Sequence, residues 1–324
     1  MALTLVEAMQ EQRPDKLTGS LIWMFDYYSP VMKEIPQVRI DGRYYDYERV
    51  IALPSVAWRA VNSVYTESTG VTNPFREWLK ILGGEAKIDT AIIKTSPKGA
   101  VDLMKRQIDL KVQAAMNEYD RAFFEGSEQN SAYEMVGLRA RCGGNQLILN
   151  ASGGGALTIA NLRQLIDAVP FATKQSEGFR RGEGIRKVLY MNRTLRRKLD
   201  ALIEAQTGSL RIEVTRDTFG DNVEMFGGAI IRVVEQTGDG STILGFDEDP
   251  GDGASDCASI YCVAFGDELV HGIYNNGPGG ELLDVKQFGE TEAAPVHMTR
   301  FEGLYGLALD HPRCAARLHA ITNA

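Results

Sequence analysis

A chain of 324 residues with 44% hydrophobic and 24% charged residues can bury a sizeable core, in one large or two modest domains. Lys plus Arg number 35 against 43 Asp plus Glu, a formal charge of −8. That balance excludes a protein whose whole surface grips nucleic acid, though not one that encloses it. No apolar run reaches the roughly 18 residues needed to span a bilayer, and the amino terminus lacks the basic-then-apolar pattern of a secretory signal. The four cysteines, Cys142, Cys257, Cys262 and Cys314, include no CxxC pair and no His at zinc-finger spacing. Buried reduced thiols and folding in a reducing cytoplasm are therefore expected.

Residues 1–35 read as an arm. A short amphipathic piece ends at Arg13-Pro14-Asp15, and Trp23, Phe25, Tyr27 and Tyr28 then crowd into one aromatic cluster. Such a cluster must be covered, because each buried aromatic gains on the order of 1.5–3 kcal/mol that exposure forfeits. The cover is either the chain's own domain or a neighbouring subunit. Next, QVRI and RYYDYERVIAL flank Asp41-Gly42, the signature of a tight two-stranded hairpin closed by Pro54. A lone ribbon is marginal in water, so Tyr44, Tyr45, Tyr47 and Val50 need a partner surface. A projecting loop that docks on another molecule and an ordinary sheet edge both fit.

Residues 73–84, NPFREWLKILGG, read as a short helix closed by two glycines, and 86–94 as a strand. Ser96 as cap and Pro97 at the first position then open a long helix over 97–125. Val101, Met104, Ile108, Val112, Ala115, Tyr119 and Ala122 recur at steps of three and four, and Gly126 ends the run. At 1.5 Å per residue this is a rod of roughly 43 Å. It is either one core helix of an enzyme or a backbone rod with a sheet laid on it. A polar loop follows before Tyr133.

Gly153, Gly154 and Gly155 precede a helix capped by Thr158. Without a following Lys-Ser or Lys-Thr, and with no GxGxxG, a plain turn outweighs a phosphate cradle. Residues 187–192 read as a buried strand and 193–206 as a helix carrying Arg193, Arg196, Arg197 and Lys198. Short strands and glycine turns alternate over 210–246. The acidic stretch 247–253 fails as a calcium loop, since Gly251 and Ala258 stand where ligands are required, and reads as a solvated turn. Residues 259–265 read as another buried strand, and the chain closes with strand-like residues turning at His311-Pro312. With four His and neither GxSxG nor HExxH, no catalytic, cofactor or metal residues are assigned and no enzyme is expected.

The order of these pieces resembles the major capsid proteins of tailed bacteriophages, over nearly the whole chain. Residues 43–54 and the Val-rich segment to Thr69 resemble that family's E-loop; LGGEAKID, 82–89, the strand entering its P domain; and the helix ending Arg121-Ala122-Phe123-Phe124-Glu125-Gly126 its spine helix. Tyr133 to Arg141, Tyr190-Met191-Asn192-Arg193-Thr194, and Arg300 to Pro312 resemble later family segments. The resemblance implies an α+β fold with mixed and antiparallel sheets. It divides the chain into an arm at 1–35, an E-loop at 36–72, a peripheral P domain at 73–144 and 284–324, and an axial A domain at 145–283.

It further implies a structural protein of the virion. Hexamers and pentamers would form an icosahedral head around double-stranded DNA without sequence-specific binding, assembled in the host bacterial cytoplasm. A portal is implied, with a decoration protein as a further candidate partner. The intersubunit contacts it suggests are Trp23, Phe25, Tyr27, Tyr28, Arg43, Tyr44, Tyr45, Tyr47 and Arg49. Because the aromatic arm begins close to Met1, a separate scaffolding protein is expected. No Lys lies between Val38 and Val71, so no isopeptide crosslink is expected from that loop. An encapsulin-type compartment shares the expected fold. The rival of a different class is an α/β nucleotide-binding enzyme using Gly153 to Gly155.

Overall fold

The structure, a computed structural model, describes residues 29–95, 100–171, 185–205, 212–216, 222–234, 242–251, 253, 255–266, 268–275, 284–291 and 294–323. The aromatic cluster at 23–28, the cap at Ser96 and Pro97, and the turn signals at 276–280 lie outside the described residues.

The chain enters through a turn at 31–34 and a short strand β1 (Gln37–Arg39), which lies parallel to β11 (Val270–Tyr274). Two long strands follow, β2 (Tyr44–Ala52) and β3 (Val71–Trp78), paired antiparallel from Tyr44↔Trp78 to Ala52↔Val71 as a two-stranded sheet of their own. The hairpin expected around Asp41-Gly42 is therefore a different one. Its first strand joins a partner more than 230 residues away, and β2 returns through a long tip at 53–70.

Residues 73–84 are not a helix; they are the end of β3 and the start of β4 (Lys80–Asp89). The reason is pairing. β4 runs antiparallel to β13 (Ala294–Leu309) through ten consecutive partners, so Gly83 and Gly84 sit inside a strand. A Cβ on Gly83 would lie 2.5 Å from the Phe301 carbonyl oxygen, so glycine serves close strand approach there.

After a short α1 (Thr90–Thr95) comes the spine, α2 (Ala100–Glu125), about 39 Å long. Ile108, Val112, Ala115, Met116, Tyr119, Ala122, Phe123 and Phe124 are all buried, which is the expected stripe from Ile108 onward extended by Met116 and the phenylalanine pair; the side chains of Val101 and Met104 lie outside the described residues. The helix ends at Gly126, where a Cβ would lie 2.4 Å from the Ala122 carbonyl oxygen. The loop is closed by Gly137 N–H donating to Gly126 O at 2.8 Å.

α3 (Leu138–Arg141), β5 (Leu147–Leu149) and α4 (Ile159–Ala168) follow. Thr158 caps α4 as expected, accepting from Asn161 N at 3.3 Å. Buried Lys187 donates to the Ile166 and Val169 carbonyls at its far end, where a helix leaves unpaired acceptors. β6 (Arg186–Met191) leads into α5 (Arg193–Ala205), capped by Asn192 Oδ1 accepting from Leu195 N at 2.8 Å.

β7 (Glu213–Arg216), β8 (Asn222–Phe226) and β9 (Ala229–Val233) form the far edge, with positive φ at both Gly227 and Gly228, as a two-residue hairpin turn requires. β10 (Cys257–Phe265) is buried at all nine positions. The chain ends with β11, β12 (Asp284–Thr291), β13 and β14 (Ala315–Thr322).

These strands make a mixed twelve-stranded sheet along β12-β13-β11-β10-β6-β9-β8-β7, with β1, β4, β5 and β14 attached at its flanks. The spine lies on this sheet. Phe123 and Phe124 meet Tyr190 of β6 and Tyr261 and Phe265 of β10, with ring centroids 5.2 to 6.3 Å apart, largely in tilted and edge-on arrangements. The rod-and-sheet reading of the long helix, and the α+β class, are what the structure has.

All four cysteines are buried in this core. Burial pushes the thiols of Cys142, Cys262 and Cys314 up to about 12. Among the described residues no helix is long and apolar enough to cross a membrane.

Candidate functional site

The β2–β3 hairpin separates into an anchored foot and an unsupported tip. Alternation along β2 decides which side chains do what, because successive residues face opposite sides. Tyr45, Tyr47 and Arg49 face inward. Tyr45 meets the buried His271 ring edge-on at 5.4 Å and stacks on Tyr47 at 5.8 Å. Tyr47 is buried, and its hydroxyl donates to Glu77 Oε1 at 3.1 Å. Burial, with the nearby Glu77 carboxylate, pushes that hydroxyl up to about 12. Arg49 donates through Nε to the Leu309 carbonyl at 2.8 Å and lies over the Phe75 ring at 4.4 Å.

Arg141 of α3 grips Glu77 with two parallel bonds of 2.5 and 2.8 Å, and its Nε donates to Val136 O at 2.9 Å. A bidentate guanidinium–carboxylate pair fixes direction as well as distance, so this clamp sets the angle at which the hairpin leaves the body. Arg141→Ala should leave Glu77 half-buried with only the Tyr47 hydroxyl, costing about 1–3 kcal/mol. Chemical denaturation would measure that cost. Faster amide exchange in 44–52 than in β10 would show that the loss is local to the hairpin.

Of the intersubunit contacts expected from sequence, Tyr45, Tyr47 and Arg49 thus secure the hairpin to its own chain. Tyr44 and Arg43 are exposed. Tyr44 faces Trp78 at 5.5 Å and lies under the Arg76 guanidinium at 4.1 Å, and Arg76 in turn pairs with Asp46 at 2.6 and 2.9 Å. Trp23, Phe25, Tyr27 and Tyr28 lie outside the described residues.

The tip carries a weaker sequence signal than the aromatic foot. Leu53, Val56, Trp58, Val61, Val64 and Tyr65 stand between 67% and fully exposed. Its hydrogen bonds among the described residues stay within the loop, as with Ser68 Oγ to Ser55 O at 2.9 Å and Arg59 to Ser63 O at 3.2 Å. The available signal was a run with only two charges, Arg59 and Glu67, among eighteen residues that form no core element. Contiguous exposed apolar surface of this kind marks an interaction site. Beside the hairpin foot, a groove of about 220 Å³ between β4 and α2 offers a second partly apolar face, with Ile81 and Tyr133 exposed and Leu82, Met135 and Tyr305 among its lining.

The glycine turn is committed elsewhere. Gly154 N donates to Ala151 O and Gly155 N to Ala320 O, at 3.2 and 3.1 Å, while Gly155 O accepts from Thr322 N at 2.9 Å. Those two amides are therefore not available to cradle a phosphate. In the acidic stretch Asp249 does make the expected turn, accepting from Gly251 N and Gly253 N. Glu248 instead is buried, with Arg317 Nη2 at 2.7 Å. Among the described residues no group of three or more acidic, His or Cys side chains could hold a metal ion.

Neither a protein-family model nor a curated protein sequence matches the chain. Solved structures do match. The holo-SrpI encapsulin complex from Synechococcus elongatus superposes with a TM-score of 0.61 at 15% identity, covering 100% of this chain and 98% of that one. A chain from Microbacterium phage Oxtober96 gives 0.61 at 14% identity over 90% of each chain. The capsid of the native GTA particle gives 0.57 at 12% identity, again over 90% of each. This is the tailed-phage major capsid fold. The fold is shared although almost nine in ten residues differ from those neighbours.

The foot of the hairpin also holds a titrating pair. His271 is buried, and neither ring nitrogen has a hydrogen-bond partner among the described residues; its Nδ1 lies 3.9 Å from Asp310 Oδ2. Burial lowers His271 to about 4 and raises Asp310 to about 6. The two act in opposite directions. A depressed His contributes stability that is lost as pH falls from about 6.5 through 4, up to about 3 kcal/mol, whereas a raised Asp contributes stability gained as pH falls through 6. In Asp310→Asn only the histidine remains to titrate. The histidine's loss is common to both proteins, so the stability of the variant relative to wild type should fall between about pH 6 and 4, where the aspartate's gain is missing, as thermal melts across that range would show.

Proposed function

We propose that this chain is a structural shell subunit whose copies build a closed icosahedral container of hexamers and pentamers, the head of a tailed phage around double-stranded DNA. The observation that carries the reading is the hairpin tip at 53–70, an apolar loop held away from its own core by a rigid foot. Such a loop is finished only by another molecule, and a second copy is the partner that a capsid fold supplies. The arm at 1–35 and the hairpin would overlap neighbours, while residues 145–283 would ring the capsomer axis. A separate scaffolding protein and a portal would direct assembly in the bacterial cytoplasm, with a decoration protein as a further candidate partner.

A second reading rests on one specific observation, the full-length superposition on the SrpI encapsulin, and makes the container a protein compartment. Purified particles treated with nuclease separate the two. Protected double-stranded DNA supports the phage head, and protein cargo without DNA supports the compartment. Absence of particles when the chain is expressed with its neighbouring genes contradicts both.

A further inference from the structure

The point where the amino-terminal arm joins the body carries a buried carboxyl with a single partner. Asp120, on the spine helix α2, is 2% exposed. Among the described residues it makes no ion pair, and its one hydrogen bond comes from Ser29 Oγ at 2.5 Å. Ser29 is itself buried and accepts from Met32 N at 2.9 Å, so the same hydroxyl fixes the turn at 31–34. Val31 and Met32 of that turn, and Ile35 just after it, are buried in the core cluster that includes Met116, Tyr119 and Phe123. The link between residues 91 apart therefore holds the arm's root on the spine.

We propose that Asp120 and Ser29 form a proton-gated latch on the amino-terminal arm, closed while the Asp120 carboxyl is protonated and loosened when it ionises. A neutral carboxyl needs little from its surroundings, whereas a buried carboxylate needs cations or several donors and here has one hydroxyl. The titratable and charged groups whose fields overlap at this place are Tyr119 on the same helix, Tyr190 of β6, and the cluster of Glu34, Arg186 and Arg232. The two arginines are committed to Glu34, with Arg186 at 3.1 Å and Arg232 Nε at 2.7 Å. Burial raises Asp120 to about 8, against which the Ser29 bond acts only partly.

The sign of the pH effect follows. Opening the latch exposes Asp120 to water, where it ionises in the ordinary carboxylate range, so opening releases a proton between about pH 4 and 8. Across that window the opening equilibrium should rise roughly tenfold per pH unit, and it should level off above pH 8. The arm root is thus tightest in mild acid and most easily released in mild alkali.

Amide exchange of the full chain, followed at Met32, Lys33, Glu34 and Ile35 between about pH 5.5 and 8.5 and corrected for the intrinsic pH dependence of exchange, tests this directly. Wild type should show the tenfold-per-unit rise in opening, and Asp120→Asn, which keeps the shape without the charge, should be flat. Ser29→Ala should open roughly fivefold more at every pH below 8 while keeping the slope. A wild-type profile without slope, or an equal slope in Asp120→Asn, overturns the latch. Should Asp120→Asn fail to fold, the wild-type and Ser29→Ala profiles still decide it, because a flat response in either contradicts a proton-linked opening.

Discussion

Replacing residues 53–70 by a short glycine-containing turn should give a folded, soluble subunit that builds no shells. The cut leaves every buried residue of the core in place and keeps the register of β2 on β3 from Tyr44↔Trp78 through Val50↔Thr72. What it removes is six large exposed side chains, each worth about 1.5–3 kcal/mol when covered, or on the order of 10 kcal/mol gross at every subunit contact. Even after the costs of association, a loss of that size dissolves a symmetric assembly in which each copy repeats the same contact. A unchanged circular dichroism melt beside the absence of fast-sedimenting particles would be the expected pair of results. Removing 41–47 instead would be a poorer test, because Tyr45 and Tyr47 belong to the hairpin foot and their loss disturbs the subunit itself.

The second large effect concerns the subunit. Glu34 has a fully buried side chain and joins the turn at 31–34 to two strands of the main sheet, through Arg186 of β6 and Arg232 of β9. Glu34→Ala leaves two guanidinium groups facing each other with their shared anion gone. Removing the shared carboxylate from such a buried cluster costs about 3–5 kcal/mol. The urea midpoint should fall accordingly, and the slope of the transition should stay unchanged if the denatured state is unaffected. Glu34→Gln, which keeps the hydrogen-bond acceptor but not the charge, should cost less.

How far the sequence carried the fold depended on the range of the interactions that decide each element. The spine and α5 were legible because a 3.6-residue period is a local signal repeated over several turns, closed in the spine by Gly126. β10 was legible because nine consecutive buried positions leave no polar face to misassign. The segment 73–84 misled because Phe75, Trp78, Leu79 and Leu82 happen to fall at helical spacing. A ten-residue ladder to β13, some 215 positions away, overrides that local preference. Asp41-Gly42 is a genuine turn with Gly42 at positive φ, yet it links β1 and β2 without pairing them, since β11 is the better partner for β1.

The candidate site was half legible for the same reason. Aromatic density drew attention to Tyr44, Tyr45 and Tyr47, and density alone does not tell an inward face from an outward one. Period-two alternation could have divided them, but only once the strand's partner and the buried side were known. The tip gave a weaker signal because Val and Ala are ordinary core residues. Its meaning comes from position, eighteen residues beyond the last rung of the hairpin ladder that the described residues leave uncovered.

The central claim is that this subunit is completed by copies of itself, and electron microscopy of the full chain, expressed with its neighbouring genes, tests it most directly. The account predicts closed icosahedral shells in which each 53–70 loop lies against an adjacent subunit. A monodisperse monomer with that loop folded back on its own body, under every assembly condition, would contradict it.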